Sequence, residues 1–95
     1  MNEMELIDEI NTIMINFTDK IKQEHHKDRD GWWSMEYNAW EELWYVSHKG
    51  YWLDSIQRSS SSLAFALQSF KVELINKITE EFGDYDFKNH CRKGD

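Results

Sequence analysis

Apolar residues recur along the first two dozen positions with the period of a helix. At 100° per residue, Leu6, Ile7, Ile10, Ile13, Met14, Phe17 and Ile21 fall within an arc of about 120°. The spacing predicts an amphipathic, core-facing helix from Asn2 to about Gln23. Asn2 followed three residues later by Glu5 has the spacing of a reciprocal helix cap. Met4 and Ile15 fall off the stripe, on a flank shared with Asn11, Thr18 and Lys22. The acids Glu3, Glu5, Asp8, Glu9 and Asp19 all precede the first base, Lys20, an order of charge that suits the helix dipole.

The period changes after Gly31. Between Gly31 and Ile56 lie all 5 tryptophans and Tyr37, Tyr45 and Tyr51, residue types that favour a pleated, half-buried surface. Three antiparallel strands are predicted: Trp32–Tyr37, Leu43–His48 and Tyr51–Ile56. A wide reversal over Asn38–Glu42 joins the first two, and a tight one at Lys49-Gly50 joins the last two. In the first strand Trp33, Met35 and Tyr37 alternate with Trp32, Ser34 and Glu36. With a two-residue turn, Trp44, Val46 and His48 share a side with Tyr51 and Leu53. Leu43, Tyr45 and Ser47 then share the other side with Trp52, Asp54 and Ile56. Rings therefore stand on both sides of the expected sheet. One side takes the helices, with Trp33 and Trp44 in the core. The other presents Trp32 and Trp52, with Trp40 at the wide turn.

Helical spacing returns at Leu63. Leu63, Ala64, Leu67, Phe70, Leu74, Ile75, Ile78 and Phe82 line one broad face with the stem of Lys71, and Phe65 and Val72 lie on another. The four serines Ser59–Ser62 are too few for a linker between domains, and the later ones suit an N-cap. Gly83 is the expected terminator, and 84–95 is expected to be a mobile tail. The expected architecture is a single α+β domain, a three-stranded antiparallel sheet flanked by an N-terminal and a C-terminal helix.

Charge narrows the function. The 95 residues hold 18 acids against 11 bases, a formal net charge of −7. A nucleic-acid binder needs a basic face to displace counterions from phosphates, and an anionic membrane makes the same demand. Neither partner is expected. One cysteine, Cys91, excludes an internal disulfide framework. The acidic start lacks a long apolar run, so neither a signal peptide nor a membrane span is expected and the cytoplasm is the expected compartment.

Candidate chemistry is sparse. His25, His26, His90 and Cys91 lack the ligand spacings of a zinc site, so no metal or other cofactor is expected. Glu41-Glu42, Glu80-Glu81 and the Asp84/Asp86 pair are carboxylates close in sequence, not a pair held across a cleft with separated pKa values. His90 beside Cys91 does not make a nucleophile–base pair, and Ser59–Ser62 has no base at a diagnostic spacing. The glycines are isolated, so there is no phosphate-cradling loop. The expectation is a protein that is not an enzyme and works by surface contact. Aromatic hot spots at Trp32, Trp40 and Trp52 would be ringed by the acids Glu3, Asp8, Glu9, Glu36, Glu41 and Glu42.

Three stretches carry a resemblance: the acidic helix Asn2–Glu24, the lead-in Lys27-Asp28-Arg29-Asp30-Gly31-Trp32-Trp33, and the reversal His48-Lys49-Gly50-Tyr51. With its length, acidity and helix–three-strand–helix layout, the chain resembles small phage- or prophage-encoded proteins that block bacterial defence nucleases, the anti-CRISPR class among them. That class shares no motif, so no residue role carries over. The resemblance implies an inhibitor in the host cytosol that covers a nucleic-acid-binding surface of a basic host protein. The alternative is a homodimeric structural or regulatory adaptor joined through the aromatic sheet face.

Overall fold

A computed structural model describes residues 2–25, 32–49, 56–83, 85–86 and 91–92, with side chains described over 2–16, 33–48 and 56–80. Helix α1 spans Glu3–His25. Its first turn closes as the sequence requires. Asn2 Oδ1 accepts from the Glu5 backbone N–H at 2.9 Å, and Asn2 Nδ2 donates to Glu5 Oε1 at 3.3 Å. Leu6, Ile10, Ile13 and Met14 are buried and Ile7 packs against them, so the stripe faces the core. The expected inward positions Phe17 and Ile21 lie outside the described side chains.

Strand β1 is Trp32–Asn38 and β2 is Leu43–Lys49, paired antiparallel without interruption from Trp32↔Lys49 to Asn38↔Leu43. Strand β3, Ile56–Ser60, pairs antiparallel with the other side of β2, from His48↔Ile56 to Trp44↔Ser60. The sheet order is β1-β2-β3, which leaves β1 at an edge.

The third strand departs from expectation. His48 pairs with Ile56, not Tyr51, so Lys49-Gly50 is not a two-residue turn between paired neighbours. The expected strand residues Tyr51–Ser55, Trp52 among them, lie outside the described residues. The new register puts Ile56 on the side of Val46, buried, rather than opposite it. Burying that isoleucine under the helices outweighs the weak strand preference of Gln57–Ser60.

Helix α2, Leu63–Phe82, follows β3 with two residues between them. Ser62 is its N-cap, with its Oγ accepting from the Phe65 N–H at 3.3 Å, while Ser60 Oγ accepts from the Ser62 N–H at 3.1 Å. Of the four serines, two therefore complete β3 and the last opens the helix. Gly83 closes it at φ 92°, a left-handed backbone value that disfavours a side chain, and donates its N–H to the Thr79 carbonyl at 3.0 Å. Within the tail expected to be mobile, β4 (Tyr85–Asp86) and β5 (Cys91–Arg92) pair antiparallel.

α2 packs on β3 and β2, and α1 packs on α2. Between them lie Leu6, Ile10, Ile13, Met14, Trp33, Val46, Ile56, Ala66, Leu67, Phe70, Leu74, Ile75 and Ile78. Trp33 stacks on Phe70 with ring centroids 5.9 Å apart. Two expectations about the core shift slightly. Ala66 is buried and Ala64 half-buried, and Trp44 sits at the rim of the core rather than inside it. Across the helix interface Lys71 Nζ reaches Glu9 Oε2 at 2.8 Å.

Candidate protein-binding surface

The β1–β2 reversal is built on one asparagine. Asn38 Oδ1 accepts from the backbone N–H groups of Trp40 (3.0 Å) and Glu41 (3.1 Å), and its Nδ2 donates to Glu41 Oε1 at 2.9 Å. The second Glu41 oxygen accepts from the Tyr45 hydroxyl at 2.6 Å. That bond, more than burial, raises the Tyr45 pKa above its ordinary value. Glu42 takes φ 56°, the left-handed residue that returns the chain to β2. On this tied turn the Trp40 side chain is 99% exposed. A large apolar ring held wholly in solvent on a hydrogen-bonded turn has no role in the core.

A lane of apolar surface leads away from the turn. Met35 and Tyr37 share the core-side face with Trp33, yet are 38% and 51% exposed. α2 packs on β3 and β2, and the helices leave Met35 and Tyr37 of β1 partly uncovered. Tyr37 is propped by Trp44, ring centroids 5.1 Å apart. Farther back, α1 and β1 frame an open groove of about 250 Å³ lined by Ile7, Asn11, Trp33, Ser34 and Met35. The groove's geometry is fixed by the Trp33 indole N–H, which donates to Asn11 Oδ1 at 2.8 Å.

Charge is divided unequally along the chain. Residues 1–19 and 31–48 contain Glu3, Glu5, Asp8, Glu9, Asp19, Glu36, Glu41 and Glu42 and not one lysine or arginine. The cations with described side chains are on β3 and α2, and each meets an acid: Arg58–Glu73 at 3.1 Å, Lys71–Glu9 at 2.8 Å and Lys77–Glu80 at 3.8 Å. Among the described side chains, Glu3, Glu5, Asp8, Glu36 and Glu42 give α1, β1 and the turn a negative surface.

The residues expected to form the site are placed as follows. Glu3, Asp8, Glu36 and Glu42 are exposed; Glu41 is exposed but tied into the turn; Glu9 is partly buried against Lys71 between the helices. Trp40 is outward, as expected. The Trp32 and Trp52 side chains lie outside the described residues. The far face of the sheet carries Ser34, Glu36, Ser47, Gln57 and Ser59, with Leu43 and Tyr45 near the turn, so its described part is polar rather than an aromatic surface. Ser34 and Ser47 hydroxyls meet across it at 3.4 Å. Alternation places Met35 and Tyr37 on the same face as the core residue Trp33. Their exposure depends on where the helices stop, which no local pattern encodes.

Among the described residues, no group of three His, Cys, Asp or Glu is placed to hold a metal ion, and no helix is long and apolar enough to cross a membrane. His25, His26, His90 and Cys91 lie outside the described side chains. His48, the last residue but one of β2, is buried, and burial lowers its pKa. The chain matches no family model, no curated protein and no solved structure, so its function has to be argued from this surface alone.

Proposed function

We propose that the chain is a protein-binding module that docks its α1–β1–turn side on a basic surface of another protein. The observation that carries this reading is Trp40, 99% exposed on a turn tied by Asn38 and flanked by Glu41 and Glu42. An exposed tryptophan on a turn with an ordered backbone, beside two acids, combines a large contact area with electrostatic steering. A basic protein surface is often one that holds nucleic acid, and the resemblance to phage-encoded defence inhibitors fits the same chemistry. The module would act by occupying such a surface and excluding its nucleic acid.

The test compares three immobilised proteins in extract of the native host: wild type, Trp40→Ala, and Glu3→Gln/Asp8→Asn/Glu36→Gln. A partner retained by wild type and lost from both variants is then assayed for nucleic-acid binding by mobility shift. The expected result is displacement of the nucleic acid by added wild-type chain. Recovery of the same proteins by all three baits would overturn the docking surface, and a ternary complex would overturn the displacement.

A further inference from the structure

Among the described residues, β1 is an edge strand with little protection. Every second residue of an edge strand directs its N–H and C=O away from its only neighbour, and natural edges are commonly shielded by lysine, proline or a bulge. β1 has no lysine or proline, and its seven-residue register with β2 runs without a bulge. Among the described residues no strand pairs with its free side. That edge also adjoins the groove framed by Ile7, Asn11 and Met35.

The two faces of β1 state what an added strand would need. The core-side face offers Met35 and Tyr37, both partly exposed, and the far face offers Ser34 and Glu36. Side chains of an added strand alternate between the same two faces. Apolar residues at every second position would lie over Met35 and into the groove beside Ile7. The intervening positions would stand beside Glu36, where a lysine or arginine makes a favourable cross-strand pair. Asp8, next to Ile7 on α1, and Glu42 of the turn are exposed acids, and no lysine or arginine lies within residues 2–16 and 33–48. A second copy of this chain would bring the same acids, with no lysine or arginine in residues 2–16 or 33–48, so like charges oppose self-pairing.

We propose that β1 accepts an extended segment of a partner protein with alternating apolar and basic residues, added as a fourth strand and seated in the α1–β1 groove. This inference rests on the protein-binding reading above and names the form of the partner's contact. It adds main-chain hydrogen bonding to the contact made by Trp40.

The probe is a capped eight-residue peptide of alternating lysine and valine, titrated into the full chain while backbone amide resonances and amide exchange are followed. Controls are an alternating glutamate–valine peptide and a lysine–glycine peptide of equal charge. The expected result is a shift of the β1, Ile7 and Asn11 amides with slowed exchange along β1, for the lysine–valine peptide only. Met35→Lys should weaken binding at least tenfold. Glu36→Lys, on the solvated face, gives the same readout should Met35→Lys lower stability. Equal response to the lysine–glycine peptide, shifts that miss β1, or no response at millimolar peptide would overturn the proposal. So would light scattering that shows a dimer with β1 amides protected in the absence of peptide. Partner capture that survives Met35→Lys but fails with Trp40→Ala would remove the added strand while leaving the docking surface in place.

Discussion

Three aromatic residues show how one residue type divides its roles by position. Trp33 is buried, stacked on Phe70 and hydrogen-bonded to Asn11, so Trp33→Ala leaves a cavity and is expected to cost about 3–5 kcal/mol in denaturant unfolding. Asn11→Ala strands the indole N–H and should cost about 1–3 kcal/mol by the same measurement. Trp44 lies at the rim, so its truncation should cost less than that of Trp33. Trp40→Ala should leave the melting temperature unchanged and remove about 2 kcal/mol or more of partner binding, read by calorimetry. The outwardness of Trp40 was legible from its place between the predicted strands; the half-exposure of Met35 and Tyr37 was not. His48 adds a dependence on pH. Burial depresses its folded pKa, whereas the unfolded chain takes up the proton near an ordinary value of about 6.5. Stability is therefore full above neutrality and falls as pH drops through about 6.5 toward the folded value. Melting temperatures taken from pH 7 to 5.5 should decline, and His48→Leu should flatten that slope whatever its own stability.

Among the elements, both helices and the β1–β2 hairpin follow from local signals. The Asn2–Glu5 cap, the Ser62 cap and Gly83 each sit where the sequence places them. Ser62→Ala removes the acceptor for the Phe65 N–H and should cost about 1 kcal/mol in thermal unfolding. β3 was illegible for a physical reason. Its position is set by pairing Ile56 opposite His48 beneath α2, a tertiary condition, while the local aromatic content of Tyr51–Leu53 pointed upstream. The Lys71–Glu9 bond is likewise a product of packing, since neither residue signals the other in sequence. Both side chains are largely shielded, and Lys71→Ala should cost about 1–2 kcal/mol, with Glu9→Gln/Lys71→Met restoring part of it in a double-mutant cycle.

At the scale of the whole molecule, the net charge of −7 makes association with a basic partner sensitive to salt. Affinity for a basic partner should fall between low and moderate ionic strength, chiefly in the on-rate, and stopped-flow measurements should show that Glu3→Gln/Asp8→Asn/Glu36→Gln has a shallower dependence. The separation of α1 from its packing partner along the chain has a consequence for kinetics. Lys71 and Glu9 are 62 positions apart, whereas Ser34 and Ser47 meet across 13. By loop-closure entropy the longer connection costs roughly 1.4 kcal/mol more to close, before other contacts reward it. The hairpin and the adjoining β3–α2 unit should thus assemble in the folding transition state, with α1 docking afterward. Val46→Ala is then expected to slow folding, and Ile10→Val to speed unfolding with the folding rate nearly unchanged, in denaturant-jump experiments. An element that docks last undocks first, so native-state exchange should show the amides of α1 opening at lower free energy than those of β2.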